Sequence, residues 1–324
     1  MAAAPNTLHY TLIDAMTSTP FTGNPTPVFI LDDGENTCEN WLGSDVMQKL
    51  AGEMNHSETA FVRRRQRAGG DDDGNVVYDI RWYTPTAEEP FCGHGILAAT
   101  IALHERYGEK KNYRFETVKG ALVDAHVVSS SSSSSPNPTT TYTIQMTFPS
   151  FPITTPLSSP STKTKFATAL NIKPSAIVAI GKNELQDLII ELDKGVDFSD
   201  GRMRIDAGKL LEASPKEVRS QVVTRAVTGK GFEKRVFAYG SEDQATGSTY
   251  CALGPYWGDR LGRREALRAV QVSRRGGGAE VECYGVGGDG GGEVIGVKAD
   301  GVVVGFGDIV LPVGEGERKL LAKL

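Results

Sequence analysis

Two segments of the chain place acidic residues ahead of a glycine-containing turn and a run of small and apolar residues. The first is Glu88–Gly95, and the second is Glu242–Thr249. Each leads into a predicted helix, and a helix N-terminus carries unpaired N–H groups and a partial positive charge that bind anions. The repeat therefore predicts two similar domains that face each other across an anion-binding cleft.

Three ionisable residues lie in or near these segments: Glu58, His94 and Asp243. By residue type alone, each has an ordinary structural explanation. A glutamate at the start of a predicted strand is usually solvated, and an aspartate ahead of a helix commonly stabilises the helix dipole. A histidine in the first helical turn can bond to the backbone, and burial beside the positive helix end favours its neutral form.

Other residues of these segments could donate hydrogen bonds to an anion. Gly93, Gly247 and Ser248 offer N–H and O–H groups at the two predicted helix starts, which would preorganise a site for a carboxylate or an enolate. The same glycines also allow a tight helix start, and both roles are compatible. Asn24 lies in a Gly-Asn-Pro sequence, where asparagine is a common turn residue.

Five blocks of the sequence, in the same order, resemble the PhzF (phenazine biosynthesis-like) family. These blocks are Asp14–Leu31, Ser57–Val62, Arg81–Gly95, Glu242–Trp257 and Val270–Gly277. The resemblance covers nearly the whole chain. Five ordered blocks are far more specific than any single short motif.

The resemblance implies the α/β (α+β) fold that diaminopimelate epimerases share. In that fold, two domains each form a mostly antiparallel β-barrel around a central α-helix, and the active site lies in the cleft between them. The resemblance also implies an isomerase that moves a proton on a small, carboxylate-bearing substrate, as dihydro-hydroxyanthranilate isomerase does. Such an enzyme needs no cofactor, and we expect a homodimer.

The same resemblance assigns roles to individual residues. Glu58 would be the general acid/base, which accepts a proton from carbon and returns it elsewhere. His94 would position or protonate the substrate, and Asp243 would be the third active-site residue. The residues expected to bind substrate are Asn24, Gly93, Gly247 and Ser248.

Two other functions stay open. A racemase or epimerase with two cysteine bases would need a thiol at each helix start, and Cys92 stands at the first but Thr246 at the second. Because threonine cannot supply a thiolate, the isomerase with a single carboxylate is favoured. Tyr239 and Gln244 stand where the family usually has proline, so a small-molecule-binding protein that has lost turnover is the other alternative.

Composition excludes several classes of protein. The 324 residues include 35 Lys and Arg against 40 Asp and Glu, for a net charge of −5, so nucleic acid is not an expected partner. Met1–Pro5 lacks the basic start and apolar region of a signal peptide, and no apolar run is long enough to span a membrane. We therefore expect a cytoplasmic protein with no membrane partner.

The chain also lacks the spacing of common metal and nucleotide sites. Its four cysteines, Cys38, Cys92, Cys251 and Cys283, include no C-x-x-C pair, and no histidine lies four residues from another. Neither a disulfide framework nor a metal site is expected. The segment Gly285–Gly290 spells G-x-G-x-x-G but precedes a predicted strand, whereas a dinucleotide site requires a helix there.

The elements that must position these residues follow from hydrophobic periodicity. Helices are predicted over Cys38–Met54, Gly93–Tyr107 and Thr246–Tyr256, with short strands on either side of the last two. The length predicts two domains, and the serine-rich run predicts a boundary. The expected divisions are a first domain over residues 1–128, a linker or loop over 129–140, a second domain over 141–310, and a tail over 311–324 that returns to the first domain or stays apart.

Overall fold

A computed structural model describes residues 7–31, 41–65, 77–108, 112–133, 139–198, 203–229, 231–263, 265–286 and 293–311. Within these ranges the protein has a sheet-dominated α+β fold with five α-helices. The helices are α1 Ser44–Met54, α2 Gly93–Tyr107, α3 Pro160–Leu170, α4 Ala207–Ala213 and α5 Tyr250–Arg260. None of these helices is both long and apolar enough to span a membrane.

The chain divides into two compact units. The first unit consists of Met1–Met146 and Ala299–Leu324, and the second of Thr147–Lys298. The strands that lie wholly in the first unit are β1 Thr7–Ala15, β2 Asn24–Ile30, β3 Thr59–Arg64, β4 Val77–Tyr83, β5 Glu88–Glu89, β6 Asn112–Thr117 and β7 Leu122–Ser132. Those of the second unit are β9 Thr155–Pro156, β10 Ile177–Lys182, β11 Asp187–Leu192, β12 Ser220–Val227, β13 Gly231–Ala238, β14 Ser241–Asp243, β15 Leu267–Gln271 and β16 Gly277–Val286. The remaining two strands, β8 Thr140–Pro149 and β17 Glu293–Val310, each contribute residues to both units.

The two units have the same strand topology. In the first, β1 and β2 pair antiparallel, β2 and β3 parallel, β3 and β4 antiparallel, β4 and β6 parallel, and β6 and β7 antiparallel. In the second, the same sequence of pairings runs from β10 to β11, β12, β13, β15 and β16. The short strands β5 and β14 pair antiparallel with β4 and β13. Because α2 follows β5 and α5 follows β14, the two acidic segments occupy equivalent places in the two units.

Helix α2 is the buried centre of the first unit. All residues from Gly93 to Leu103 are buried, and the helix packs against β1, β2, β3 and β7. The buried residues lie on every side of the helix, and each fully buried leucine or isoleucine contributes roughly 1.5–3 kcal/mol to folding. The helix is therefore stabilised by burial on all sides and not by one apolar face. Its bounds coincide with the predicted ones, and Gly108 ends it with a positive φ of 68°.

Gly95 permits a close approach between α2 and the sheet. A Cβ atom at this position would lie 2.5 Å from Nε1 and 2.6 Å from Cδ1 of Trp82 on β4. Trp82 is 1% exposed and has no room to move away. The helix start therefore depends on a glycine at this position.

Three predicted element bounds were wrong. Helix α1 begins at Ser44 rather than Cys38, because Gly43 is the N-cap and has an extended conformation; residues 32–40 lie outside the described residues. Helix α5 begins at Tyr250 rather than Thr246, because the N–H groups of Tyr250, Cys251 and Ala252 donate to carbonyls three residues earlier instead of four. The two strands predicted within residues 294–306 form the single strand β17.

The predicted linker over residues 129–140 was wrong at its N-terminal end. Strand β7 continues through Ser132, and the N–H of Ser133 donates to the carbonyl of Thr139 at 3.0 Å. Serine side chains do not prevent this, because a ladder is made by the backbone and these residues are exposed. Residues 134–138 and 312–324 of the predicted linker and tail lie outside the described residues. The return to the first unit begins at Ala299, within β17.

Candidate active site

The first unit brings Glu58 and His94 into contact. Glu58 lies directly before β3 and His94 lies in the first turn of α2. Nε2 of His94 is 3.0 Å from Oε2 of Glu58, and the side chains are 2% and 18% exposed. The carboxyl group is thus held by the buried imidazole and reached by solvent, which suits a group that exchanges protons with a substrate.

Cys92 completes a cluster of three with Glu58 and His94. Its Sγ lies 3.5 Å from Nε2 and 3.6 Å from Nδ1 of His94. The same sulfur accepts a hydrogen bond from the N–H of Gly95 at 3.3 Å, so Cys92 is the N-cap of α2. Because the cap and the imidazole belong to one turn, the helix start orients both side chains.

The protonation of His94 differs from the sequence-based expectation. Burial lowers the pKa of His94, but the sulfur of Cys92 and the carboxylate of Glu58 beside the ring both raise it, and the pKa lies well above its ordinary value. The structure does not favour the expected neutral imidazole, because Cys92 and Glu58 together raise the pKa by more than burial lowers it. For Cys92, burial raises the pKa to about 11, so the thiol form predominates at neutral pH.

Asn24 is tied to the loop that carries Glu58. Asn24 begins β2 and is fully buried. Its Oδ1 accepts a hydrogen bond from the hydroxyl of Ser57 at 2.6 Å. Since Ser57 directly precedes Glu58, this bond fixes the loop relative to β2. A role of Asn24 in substrate binding stays a prediction.

In the second unit, Asp243 organises the turn between β14 and α5. Its Oδ1 accepts the N–H of Gln244 at 2.8 Å, and its Oδ2 accepts the hydroxyl of Thr246. Gln271 on β15 accepts the N–H of Thr246 at 2.8 Å and donates to the carbonyl of Asp243 at 2.8 Å. These bonds close the turn at both ends and hold a partly buried carboxylate at the end of β14.

Gly247 and Ser248 lie in the same turn, and both are buried. The guanidinium of Arg219 donates to Oγ of Ser248 at 3.4 Å and to Oδ1 of Asp187 at 2.8 Å. Asp187 is fully buried and also accepts the hydroxyl of Ser220 at 2.7 Å. A buried carboxylate therefore fixes the arginine, and the arginine places a positive charge beside Ser248.

Lys234 lies under this turn and is fully buried. Its Nζ donates to Oγ1 of Thr249 at 2.6 Å and to the carbonyl of Thr246, and it lies 3.6 Å from the ring centroid of Tyr250. Within the described residues, no carboxylate forms an ion pair with Lys234. Desolvation consequently lowers its pKa well below the ordinary value.

The structure groups the predicted residues by unit. Gly93, His94 and Glu58 meet at the start of α2, with Asn24 attached to the same loop, and Asp243, Gly247 and Ser248 share the turn before α5. Sequence analysis did not identify Ser57, Arg219 or Lys234. A signal for Lys234 existed, because Phe232, Lys234 and Val236 alternate along a strand and a lysine on an apolar face is unusual.

Glu58, Cys92 and His94 also form a set of metal-ligating side chains. Each offers one ligand atom, and the three atoms lie within 4.8 Å of one another. Carboxylate, thiolate and imidazole are the groups that bind zinc in proteins. Analysis of cysteine and histidine spacing did not reveal this set, because Glu58 is distant in sequence and joins the others only through the fold.

Comparisons with known proteins relate this arrangement to one family. The family model of the phenazine biosynthesis-like protein matches residues 13–294. The chain is 31% identical over 288 residues to a mouse phenazine biosynthesis-like domain-containing protein 2, covering 82% of this chain and 88% of that protein. It is 32% identical over 278 residues to an uncharacterized isomerase of Pseudomonas aeruginosa, covering 83% of this chain and 88% of that protein.

Solved structures agree with this relationship. A PhzF family protein of Enterococcus faecalis superposes with a TM-score of 0.68 at 25% identity, covering 94% of this chain and 100% of the other. A hydroxyproline epimerase from Agrobacterium vitis superposes with a TM-score of 0.60 at 12% identity, covering 96% and 94%. The second likeness concerns the fold alone.

Proposed function

This chain is an isomerase of the PhzF, phenazine biosynthesis-like, family, and we propose that it moves a proton on a small carboxylate-bearing substrate by means of a single carboxyl group, Glu58. The observation that carries the proposal is the 3.0 Å contact between Oε2 of Glu58 and Nε2 of His94. A buried imidazole holds one edge of the carboxyl group, and the side chain stays partly exposed. This is the arrangement that a general acid/base requires.

The proposed reaction has two steps. The carboxylate of Glu58 accepts a proton from a carbon of the substrate, and the electron pair of the broken C–H bond moves into the adjoining unsaturated system. The carboxylic acid then returns the proton to a different carbon, so the enzyme ends in its starting state. His94 orients the carboxyl group and stabilises its ionised form between turnovers.

We propose that the turn before α5 acts on the same substrate. Asp243 is the further catalytic residue, and Gly247 and Ser248 donate hydrogen bonds to the substrate, as Gly93 and Asn24 do in the first unit. The positive charge of Arg219, which donates to Ser248 at 3.4 Å, supports the binding of an anion at this turn.

The proposal also covers the barrel form of each unit, the oligomeric state, the location and the cofactor requirement. We propose that each unit is a barrel around its central helix, that the enzyme is a cytoplasmic homodimer and that it needs no cofactor. The shared strand topology and the burial of α2 and α5 support the barrels. Size-exclusion chromatography with light scattering tests the dimer, and exhaustive chelation tests cofactor independence, because isotope exchange should then persist.

The test of the proposal is exchange with deuterated water. A panel of small unsaturated carboxylates is incubated with the enzyme in deuterium oxide, and mass spectrometry finds those that acquire deuterium. Glu58→Gln keeps the size and hydrogen bonding of the side chain but cannot accept a proton. Turnover of the substrate so found should fall by about a hundred-fold to ten-thousand-fold, while binding persists.

Glu53→Gln is the matched control. Glu53 lies on α1 and is exposed, so this variant should turn over like the wild type. Full turnover in Glu58→Gln would refute the role of Glu58 and leave His94 and Asp243 as the acid/base candidates.

A racemase is the second candidate, because one observation favours it. Sγ of Cys92 lies 3.5 Å from Nε2 of His94, so a protonated imidazole would stabilise a thiolate base at Cys92. The high pKa of Cys92 and the threonine at position 246 weigh against it. Conversion of a single enantiomer into a racemic mixture would distinguish this activity from a proton shift between two carbons.

A further inference from the structure

We propose that Lys234 is a positioning residue of the active site: through the peptide unit between Thr246 and Gly247 it strengthens the binding of the substrate's carboxylate and makes that binding dependent on pH. Lys234 lies on β13, beneath the turn before α5. The proposal deepens the proposed function, on which the identity of the anion rests. The binding of a simple carboxylate at this turn can be tested without it.

Lys234 orients one peptide unit of the turn. Its Nζ donates a hydrogen bond to the carbonyl of Thr246, which also accepts the hydroxyl of Thr249 at 3.1 Å. This carbonyl and the N–H of Gly247 belong to the same planar peptide unit, and in a trans peptide they point in opposite directions. The bond that holds the carbonyl toward Lys234 therefore turns the N–H of Gly247 away from the lysine.

Two adjacent backbone N–H groups of this turn can bind an anion. Within the described part of the chain, the N–H groups of Gly247 and Ser248 donate no hydrogen bond, and the bonds that start α5 begin with the N–H of Tyr250, which donates to the carbonyl of Gly247 at 3.2 Å. Gly247 and Ser248 are buried, and a buried N–H group needs an acceptor. Adjacent N–H groups of this kind form an anion-binding concavity.

A positive charge on Lys234 makes the N–H of Gly247 a stronger donor. A charged donor at the carbonyl end of a peptide unit polarises the whole unit, and hydrogen bonds from charged groups are about twice as strong as those between neutral ones. Lys234 is fully buried, so water does not screen this effect. An anion at Gly247 and a proton on Lys234 therefore stabilise each other through one peptide unit.

The residues on the neighbouring strands and on α5 do not compete with Lys234 for this role. Its strand neighbours, Thr224 on β12 and Gln271 on β15, are uncharged. From α5 it faces Tyr250 and Cys251, and burial raises the pKa of both. Both therefore stay neutral at neutral pH.

Two carboxylates also act on Lys234. Asp243 at the end of β14 and Asp187 on β11 favour its charged form, and Asp187 is bound to Arg219 at 2.8 Å. Desolvation opposes them and is the larger effect, so the pKa of Lys234 lies well below its ordinary value. As the pH rises through this pKa, the affinity for a carboxylate should fall, because the anion stabilises the protonated amine.

Nuclear magnetic resonance can observe this peptide unit selectively. The sequence contains three Thr-Gly pairs, Thr22–Gly23, Thr228–Gly229 and Thr246–Gly247, so labelling threonine with carbonyl ¹³C and glycine with ¹⁵N selects three amide signals. Thr246→Ser removes one signal and thereby identifies it. That signal should shift as the pH is varied, while the two others serve as internal controls. A position that does not change with pH would overturn the proposal.

Two variants assign the titration to its group. Lys234→Met should abolish the shift with pH, whereas Asp243→Asn should keep it. Circular dichroism and the two control signals confirm that each variant is folded. Loss of the shift in Asp243→Asn and its persistence in Lys234→Met would show that the aspartate acts on the peptide unit, and would contradict the proposal.

Acetate is the ligand probe, and acetamide is its neutral control. At constant ionic strength and a pH below the midpoint of the titration, acetate should shift the signal of the Thr246–Gly247 pair, and acetamide should not. Acetate should bind at least about fivefold more weakly to Lys234→Met than to the wild type. By reciprocity it should also raise the midpoint of the titration in the wild type, a result that depends on no variant. Absence of the shift by acetate, or equal affinity in a folded Lys234→Met protein, would overturn the proposal.

These results are distinguishable from a failure of the proposed function. Isotope exchange on a substrate without any shift by acetate would refute the role of Lys234 and retain the isomerase, and a shift by acetate without isotope exchange would do the reverse. With a substrate, Lys234→Met should raise KM and leave kcat unchanged, which is the signature of lost ground-state binding. A loss of kcat at constant KM would assign Lys234 to the chemical step and contradict the proposal.

Discussion

The side-chain nitrogen Nζ of Lys234 lies 3.6 Å from the ring centroid of Tyr250, in the interior of the second unit. Both residues are almost fully buried. Two oxygen atoms of the turn before α5 accept hydrogen bonds from the same nitrogen. A lysine thus holds the turn that carries Gly247 and Ser248, and an aromatic ring lies against its side-chain nitrogen.

This environment predicts a pH dependence of stability. Desolvation lowers the pKa of Lys234 in the folded protein well below its ordinary value of 10.5. Between these two values the unfolded chain binds a proton that the folded chain lacks, so the free energy of unfolding rises with pH by at most about 1.4 kcal/mol per unit. Lys234→Met should lose this rise, which urea denaturation at several pH values measures against wild type. A constant difference between the two proteins would show that the buried amine stays charged.

We expect Asp243 to act in catalysis as well as to organise the turn before α5. Asp243→Asn keeps the shape of the side chain but removes its charge, and turnover should fall by about a hundred-fold or more. Thr246→Val is the matched control, because it deletes the hydroxyl that donates to Asp243 and leaves the carboxylate in place. If both variants lose turnover equally, the role of Asp243 is confined to the structure of the turn.

Replacement of Cys92 by serine separates the two proposed mechanisms. A serine hydroxyl can still accept the N–H of Gly95 and cap α2, so the helix start should persist. If Glu58 is the acid/base, Cys92→Ser should lose far less than the ~100-fold that deletion of a catalytic base causes. Isotope exchange with the substrate measures the effect. Complete inactivation of a folded Cys92→Ser protein would favour the racemase.

The contact between α2 and Trp82 makes Gly95 intolerant of a side chain. Gly95→Ala should cost about 1–3 kcal/mol of the free energy of unfolding, because a Cβ atom would lie 2.5 Å from Nε1 of a buried tryptophan. Gly52→Ala is the control: this glycine lies in α1, and its Cβ would be 3.6 Å from the nearest atom, the carbonyl oxygen of Pro85. The second variant should be stabilised by about 0.5–1 kcal/mol. Denaturant titration of both variants tests the pair, and equal effects would contradict the close packing.

Sequence analysis was most accurate where a local pattern determines the structure. The bounds of α2 were predicted correctly, because a capping residue, an apolar run and a terminal glycine all lie within one segment. The family was recognised from ordered blocks that include Glu58 and His94. Predictions were wrong at the turn before α5, where the N–H groups of Tyr250, Cys251 and Ala252 donate to carbonyls three residues earlier instead of four. Gln271 on β15, distant in the chain, bonds to this turn.

Local sequence was enough to predict the family, the residue types of the site and the positions of the turns before α2 and α5, since each of these depends on residues that are close in the chain. The contacts among these residues could be known only from the three-dimensional fold. It put Glu58 against His94, where the pKa of the imidazole is raised, and it buried Lys234 beneath the turn before α5, beside the ring of Tyr250. Contact distances and desolvation depend on residues brought together from distant parts of the chain, and these two quantities control how strongly a charged group favours one protonation state.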